Sequence, residues 1–175
     1  YEFSNPRMSR PVTPKCLFCH NDLSKPLENS VSAYDGPFAT GISCERCHGD
    51  GTAHVNSRLE GNEPQEGKAD PTILNPKHLP KIRQQQLCEQ CHLQGRSRRL
   101  VGDSNWGHYD PRKPLHEYMR IYVAEDDGNA FEIASHGERM QESACYQSGQ
   151  LSCTQCHDPH KKSEKSLYKA ACLSC

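Results

Sequence analysis

The sequence has 175 residues, of which 34% are hydrophobic and 12 each are glycine and proline. Because a chain this polar buries too little apolar surface to offset its folding entropy, we expect something other than side chains to fill its interior. The 21 basic and 22 acidic residues nearly cancel. That balance argues against binding nucleic acid or an anionic membrane, and no apolar stretch reaches the roughly 18 residues needed to span a bilayer.

The cysteines follow a repeated pattern in which five Cys-x-x-Cys pairs account for ten of the eleven. The ten paired cysteines are Cys16, Cys19, Cys44, Cys47, Cys88, Cys91, Cys153, Cys156, Cys172 and Cys175. A histidine follows each of the first four pairs, and these are His20, His48, His92 and His157. In chain order we call the segments motif 1 (Cys16–His20), motif 2 (Cys44–His48), motif 3 (Cys88–His92), motif 4 (Cys153–His157) and motif 5 (Cys172–Cys175).

The histidine after each complete pair indicates covalent haem attachment. With 10 histidines in 175 residues, four such neighbours would arise by chance about once in 100,000 sequences. Two thiols three residues apart can both add to the vinyl groups on one porphyrin edge, while the adjacent imidazole reaches the iron. The sequence therefore predicts four c-type haems. It predicts a fifth at motif 5, on the expectation that the chain is cut directly before a histidine.

The alternative for paired cysteines is a set of zinc ribbons, in which two pairs hold one metal ion. Five pairs cannot be divided into such twos, and a zinc knuckle does not require a histidine after each pair. The pattern thus favours haem over zinc and over a disulfide scaffold.

The segments between the motifs are expected to contain few regular elements. Repeated glycine, proline, asparagine and aspartate predict loops over Tyr34–Gly41, Gly61–Pro76 and Gly102–Pro114. We therefore expect a mainly irregular fold with a few short α-helices, little β structure and a haem core. It should form a single domain over residues 1–175.

Two helices and a hairpin are predicted in the second half of the chain. The first helix, Leu79–Leu93, contains motif 3 and starts near Pro80, which suits a first turn. The second is Ser135–Gln147, ended by Ser148-Gly149. Between them, the apolar runs Arg120–Ala124 and Ala130–Ala134 flank a turn-like segment and predict a hairpin.

The remaining six histidines are the candidates for the second axial ligand of each haem. His54, His136 and His160 are the first choices, and His78, His108 and His116 complete the supply. His160 follows His157 by three residues, which span about 10 Å when extended, too little to pass round a porphyrin edge. His160 and, by the same reasoning, His54 are therefore predicted to bind the iron of a neighbouring haem.

Sulfur side chains outside the pairs are weaker candidates. Methionine can also bind haem iron, so Met8, Met119 and Met140 are alternative ligands. Methionine is more often a packing residue, and histidines are plentiful, so we do not assign it. Cys145 stands alone and is expected to be a free, buried cysteine.

Two segments carry a family resemblance, Cys44 to Val55 and Gln147 to His160. There, and more weakly from Pro11 to Cys175, the chain resembles exported bacterial multihaem cytochromes c. This group includes the tetrahaem electron carriers of the hydroxylamine pathway and members fused to tetratricopeptide repeats. The resemblance implies mostly bis-histidine, closely stacked haems in the periplasm or outside the cell.

Electron transfer between the haems, with redox proteins as partners, is the function that these features favour. One alternative is an oxidoreductase of the nitrite or hydroxylamine type, which needs an iron with an open distal position. The histidine supply argues against such a site, so electron transfer is favoured over an enzymatic activity. A second alternative is a subunit of an extracellular cytochrome filament, in which other copies of the chain are the partners.

Overall fold

The computed structural model describes residues 9–22, 25–107, 109–123, 135–149, 151–162 and 164–173. Its helices are mostly one or two turns long, and two short strands form the only sheet among these residues. The predicted fold class is confirmed: the described part of the chain is mainly irregular, with short helices and little β structure. No helix in it is long and apolar enough to cross a membrane.

Two compact units divide the chain. The first comprises the residues up to Asn75 together with Gly102–Asp110, and the second comprises Pro76–Val101 and the residues from Pro111 onward. Motifs 1 and 2 belong to the first unit, and motifs 3 and 4 belong to the second.

In the first unit, three helices follow one another in the chain: α1 (Pro14–His20), α2 (Glu45–His48) and α3 (Thr52–Leu59). Pro14 occupies the first turn of α1, where its missing N–H is not needed. Motifs 1 and 2 end with the last residue of α1 and α2, respectively, so each histidine closes a helical turn that begins with its cysteine pair. The predicted loops Tyr34–Gly41 and Gly61–Pro76 contain no α-helix or strand.

The second unit begins with a 3₁₀ turn at Pro76–His78 and is organised around its longest helix, α4 (Lys81–His92), which ends at motif 3. The remaining elements are β1 (Ser97–Leu100), α5 (Leu115–Tyr118), β2 (Met119–Tyr122), α6 (His136–Glu142), α7 (Ala144–Gln147), α8 (Cys153–Cys156) and α9 (Lys165–Leu173). The helix predicted over residues 79–93 is therefore present, two residues shorter at its start and one residue shorter at its end.

The helix predicted over residues 135–147 is divided into α6 and α7 at Ser143. Ser143 is extended, with φ −73° and ψ 142°, and its hydroxyl accepts a hydrogen bond from the backbone N–H of Tyr146. A serine in this conformation caps a new helical turn. The side chain therefore ends one helix and starts the next.

The first run of the predicted hairpin forms β2, but β2 pairs with β1 rather than with a following strand. The two strands are antiparallel, with Ser97 opposite Tyr122 and Leu100 opposite Met119. The second predicted run, residues 130–134, lies outside the described residues. Gly95 allows the chain to enter β1 with φ +55°, directly beside the backbone carbonyl of Tyr122.

Candidate haem-binding sites

Motifs 1 and 2 lie against each other through the residues inside their cysteine pairs. Phe18 of motif 1 is fully buried, and the guanidinium of Arg46 of motif 2 lies 4.8 Å from the centre of its ring. Trp106 packs edge-on against the same ring, with 5.6 Å between centroids, and Arg46 also donates to the carbonyl of Gly107. The buried cation and ring therefore fix the two attachment segments relative to each other.

The thiols of these two motifs are available for haem attachment. Cys16 and Cys44 are exposed, Cys19 and Cys47 are half-buried, and none of the four forms a disulfide. Burial raises the pKa of the Cys47 thiol above its usual value, which favours its protonated form. His20 is exposed at the end of α1.

The imidazole of His48 is held through its Nδ1 atom. Nδ1 lies 2.8 Å from the backbone carbonyl of Leu74, which can only accept a hydrogen bond, so Nδ1 must carry the proton. In the neutral ring, Nε2 then has the lone pair that a metal needs. The side chain thus has the tautomer expected of a haem ligand.

His54 on α3 is held in the same way, but by a carboxylate. Its Nδ1 lies 2.9 Å from Oδ2 of Asp70. Arg58, one turn further along the same helix, donates to the same oxygen. Hydrogen bonds from Thr72 are the main reason why the pKa of Asp70 falls to about 2. Asp70 is therefore an ionised acceptor near neutral pH.

In the second unit, the C-terminal end of α4 and motif 3 are fixed by Arg98 of β1. The buried guanidinium donates to the carbonyls of Gln90, Cys91 and Leu93 at distances of 3.1, 3.1 and 2.6 Å. Helix C-termini leave carbonyls without helical partners, and a cation is favourable there. The first turn after motif 3 therefore depends on a side chain from the strand.

Motif 4 lies beside motif 3 in this unit. The first cysteines of the two motifs, Cys88 and Cys153, are in contact. A hydrogen bond from Cys88 is the main reason why the pKa of the Cys153 thiol is lowered. The sulfur of Met140 on α6 is 4.0 Å from that of Cys153. Cys91 and Cys156 are half-buried and form no disulfide. Haems bound to motifs 3 and 4 would therefore have neighbouring attachment points.

His92 lies near two other histidines in the same region. The rings of His92 and His136 are 5.3 Å apart between centroids. Burial lowers the pKa of His92 below its usual value, and His136, His157 and Arg98 add to the effect. This proximity makes His92 and His136 candidates for the two ligands of one iron.

The remaining histidines, like His92 and His136, are exposed where the structure describes them. His78 and His116 are exposed, His157 is exposed with its ring 5.2 Å from that of Tyr168, and His108 lies outside the described residues. The side chain of His160 is 75% exposed and lies near Asp158, which accepts from its backbone N–H. The backbone of Cys172, the first residue of motif 5, belongs to the last turn of α9. Cys175 lies outside the described residues.

The methionines and Cys145, the alternative sulfur ligands, lie in different environments. Met119 is buried in β2, Met140 lies beside motif 4, and Met8 is outside the described residues. The expectation of a buried Cys145 is wrong: the thiol is free but exposed. Cys145 lies on α7. The next residue, Tyr146, points toward α4, and its hydroxyl donates a hydrogen bond of 2.7 Å to Oε1 of Gln85.

Sequence reasoning did not identify the residues that hold these ligands, namely Asp70, Arg98, Arg46 and Leu74. Only Asp70 has a local signal, because Asp-Pro-Thr is typical of a turn. The others act through contacts between distant parts of the sequence or through the backbone.

The residues present fit covalently bound haem. Each complete motif combines thiols outside any disulfide with a histidine one residue later, and two of the candidate ligands have their Nδ1 proton committed to an acceptor. The short-helix fold and these sites define a multihaem c-type cytochrome, a protein that transfers electrons through covalently bound haem. The family model of cytochrome c7 and related cytochrome c matches residues 2–93, more than half of the chain. The chain belongs to that family. No curated protein and no solved structure matches it.

Proposed function

We propose that the chain relays electrons through four haems at motifs 1 to 4 and a fifth at motif 5, mostly with two histidine ligands each. The observation that carries this proposal is the pairing of motifs within each unit. Motif 1 contacts motif 2 through Phe18 and Arg46, and motif 3 contacts motif 4 through Cys88 and Cys153.

Haem bound at these motifs supplies a one-electron ferric/ferrous couple. One electron enters from a reduced partner protein and one leaves to an oxidised partner, with no other bond made or broken. The chain's part is to hold the attachment points of each pair close together. If the same two histidines bind each iron in both oxidation states, the ligands move little when an electron arrives or leaves. Little reorganisation of the site then accompanies each transfer.

We assign the four motif histidines as proximal ligands and His136 as the distal ligand of the motif 3 haem, on the basis of its approach to His92. His54 is assigned as a distal ligand because its Nδ1 is bonded to Asp70, and His160 because of its spacing from His157. Of the three further candidates, His78, His108 and His116, at least two are needed if the haems of motifs 1 to 5 all have two histidines.

We further propose that residues 1–175 act as one functional domain, exported to the periplasm or out of the cell, where redox proteins are its partners. The segment Cys44 to Val55 supports a relationship to the group that includes hydroxylamine-pathway electron carriers.

Intact mass of the holoprotein tests the haem count. We expect the mass of the polypeptide plus at least four haems. Replacing Cys153 and Cys156 together by alanine should remove one haem. The matched control, Cys145→Ala, changes a cysteine outside the motifs and should leave the number unchanged. A native mass with fewer than four adducts would refute the proposal.

A further inference from the structure

The carboxylate of Asp70 is bound by donors on both of its oxygens. Oδ1 accepts from the backbone N–H of Thr72 at 2.9 Å and from its hydroxyl. Oδ2 accepts from Arg58 and faces Nδ1 of His54 at 2.9 Å. The side chain of Asp70 is only 17% exposed. These contacts fix both the position and the orientation of the carboxylate.

The placement of the donors follows from the helix. His54 and Arg58 are four residues apart on α3 and therefore share one face, which lies toward Asp70. Since the carboxylate is held independently by Thr72, the imidazole has one orientation in which Nδ1 can donate to it. In that orientation Nδ1 carries the proton, and Nε2 carries the lone pair.

His48 and His54 differ in the charge of the group that accepts their hydrogen bond. Nδ1 of His48 donates to a neutral backbone carbonyl, whereas Nδ1 of His54 donates to an anion. An anionic acceptor strengthens the hydrogen bond and increases the basicity of the metal-bound imidazole. A more basic imidazole stabilises ferric iron more than ferrous iron, so it lowers the reduction potential.

We propose that Asp70 is a positioning residue that sets the tautomer of His54 and lowers the reduction potential of the haem that His54 binds. This inference rests on the proposed ligation by His54. It makes His48 and His54 unequal ligands, one held by a carbonyl and the other by a carboxylate.

The test is a redox titration of the holoprotein with Asp70→Asn, which preserves the size of the side chain and an acceptor oxygen but removes the charge. The control is Glu63→Gln. Glu63 is the other carboxylate near Arg58, at 3.7 Å and 76% exposed, so this change removes a charge from the same neighbourhood without touching His54. Both variants should retain the full haem content by intact mass.

We expect Asp70→Asn to raise the potential of one haem relative to Glu63→Gln and to shift its low-spin EPR signal. Loss of such a partner changes metal affinity 10- to 100-fold. A tenfold change in the ratio of ferric to ferrous affinity equals about 59 mV for one electron. If the titrations and EPR spectra of the two variants coincide, the inference is wrong.

His54→Ala separates this failure from failure of the ligation itself. If that variant has a high-spin haem while Asp70→Asn matches the control, only the inference fails. If it keeps every haem low spin, His54 is not a ligand, and both the ligation and the inference are overturned.

A measurement on the unmodified protein covers the case in which Asp70→Asn does not fold. Fully reduced low-spin haems are diamagnetic, so ¹H–¹⁵N NMR of the reduced protein should show an Nδ1 proton on His54, protected from exchange. A His54 ring without a proton on Nδ1 would equally overturn the inference.

Discussion

Replacing Arg98 by methionine should loosen the end of α4 and the motif 3 haem site with it. Methionine preserves most of the apolar stem but removes the charge and the donors. The guanidinium contributes three good hydrogen bonds, to Gln90, Cys91 and Leu93, and a weaker one of 3.4 Å to the carbonyl of Gln94. All of these acceptors are at or just after the helix end.

The size of the effect follows from these bonds. A net hydrogen bond contributes about 1 kcal/mol, and more when one partner is charged. Three such bonds give about 3 kcal/mol, since water can reach part of the helix end in the variant and limits the loss. That figure corresponds to about a hundredfold change in the unfolding equilibrium constant.

The assay is guanidinium unfolding of the holoprotein, followed by circular dichroism. The matched control is Arg99→Met. Arg99 is the next residue of β1, is exposed, and points to the opposite face of the strand. We expect the control to change the free energy of unfolding by less than about 0.5 kcal/mol. Equal midpoints for the two variants would contradict the role given to Arg98.

Three further predictions concern the ligands and one turn. His136→Ala should leave the motif 3 haem attached but turn it high spin in EPR. An unchanged spectrum would show that His136 is not the second ligand of the iron that His92 binds. In His160→Ala, a haem other than that of motif 4 should become high spin. If the motif 4 haem changes instead, or if no haem changes, the assignment of His160 to a neighbouring haem is wrong. Gly95→Ala should destabilise the protein by about 2 kcal/mol or more in chemical unfolding, because the added Cβ would lie 2.5 Å from a backbone oxygen. Gly61→Ala, with φ +78° but open space around it, should cost only the backbone strain of about 1 kcal/mol, and equal effects would refute the steric argument.

Local sequence signals predict the attachment motifs and were sufficient for the longest helix. The spacing of Cys88, Cys91 and His92 predicts a haem site without reference to the rest of the chain. The same segment has the start signal and length of a helix, and α4 is present over Lys81–His92. The repeated glycine, proline, asparagine and aspartate between the motifs likewise predicted the mainly irregular fold, which is confirmed.

Contacts between distant residues were beyond the sequence. Ser97-Arg98-Arg99-Leu100 lacks the apolar alternation of a strand, and it becomes β1 through pairing with β2. The function of Arg98 depends on that pairing, which brings its side chain back to the end of α4. Asp70 reaches His54 only because an intervening loop folds back on α3. Neither partner can be inferred from spacing.

EPR of the oxidised holoprotein, with haem quantified in the same sample, tests the central claim most directly. An electron-transfer protein whose haems each have two histidine ligands should give only low-spin ferric signals, accounting for all of the haem present. A stoichiometric high-spin signal in the native protein would reveal an iron with an open position, and it would contradict the account in favour of an enzyme.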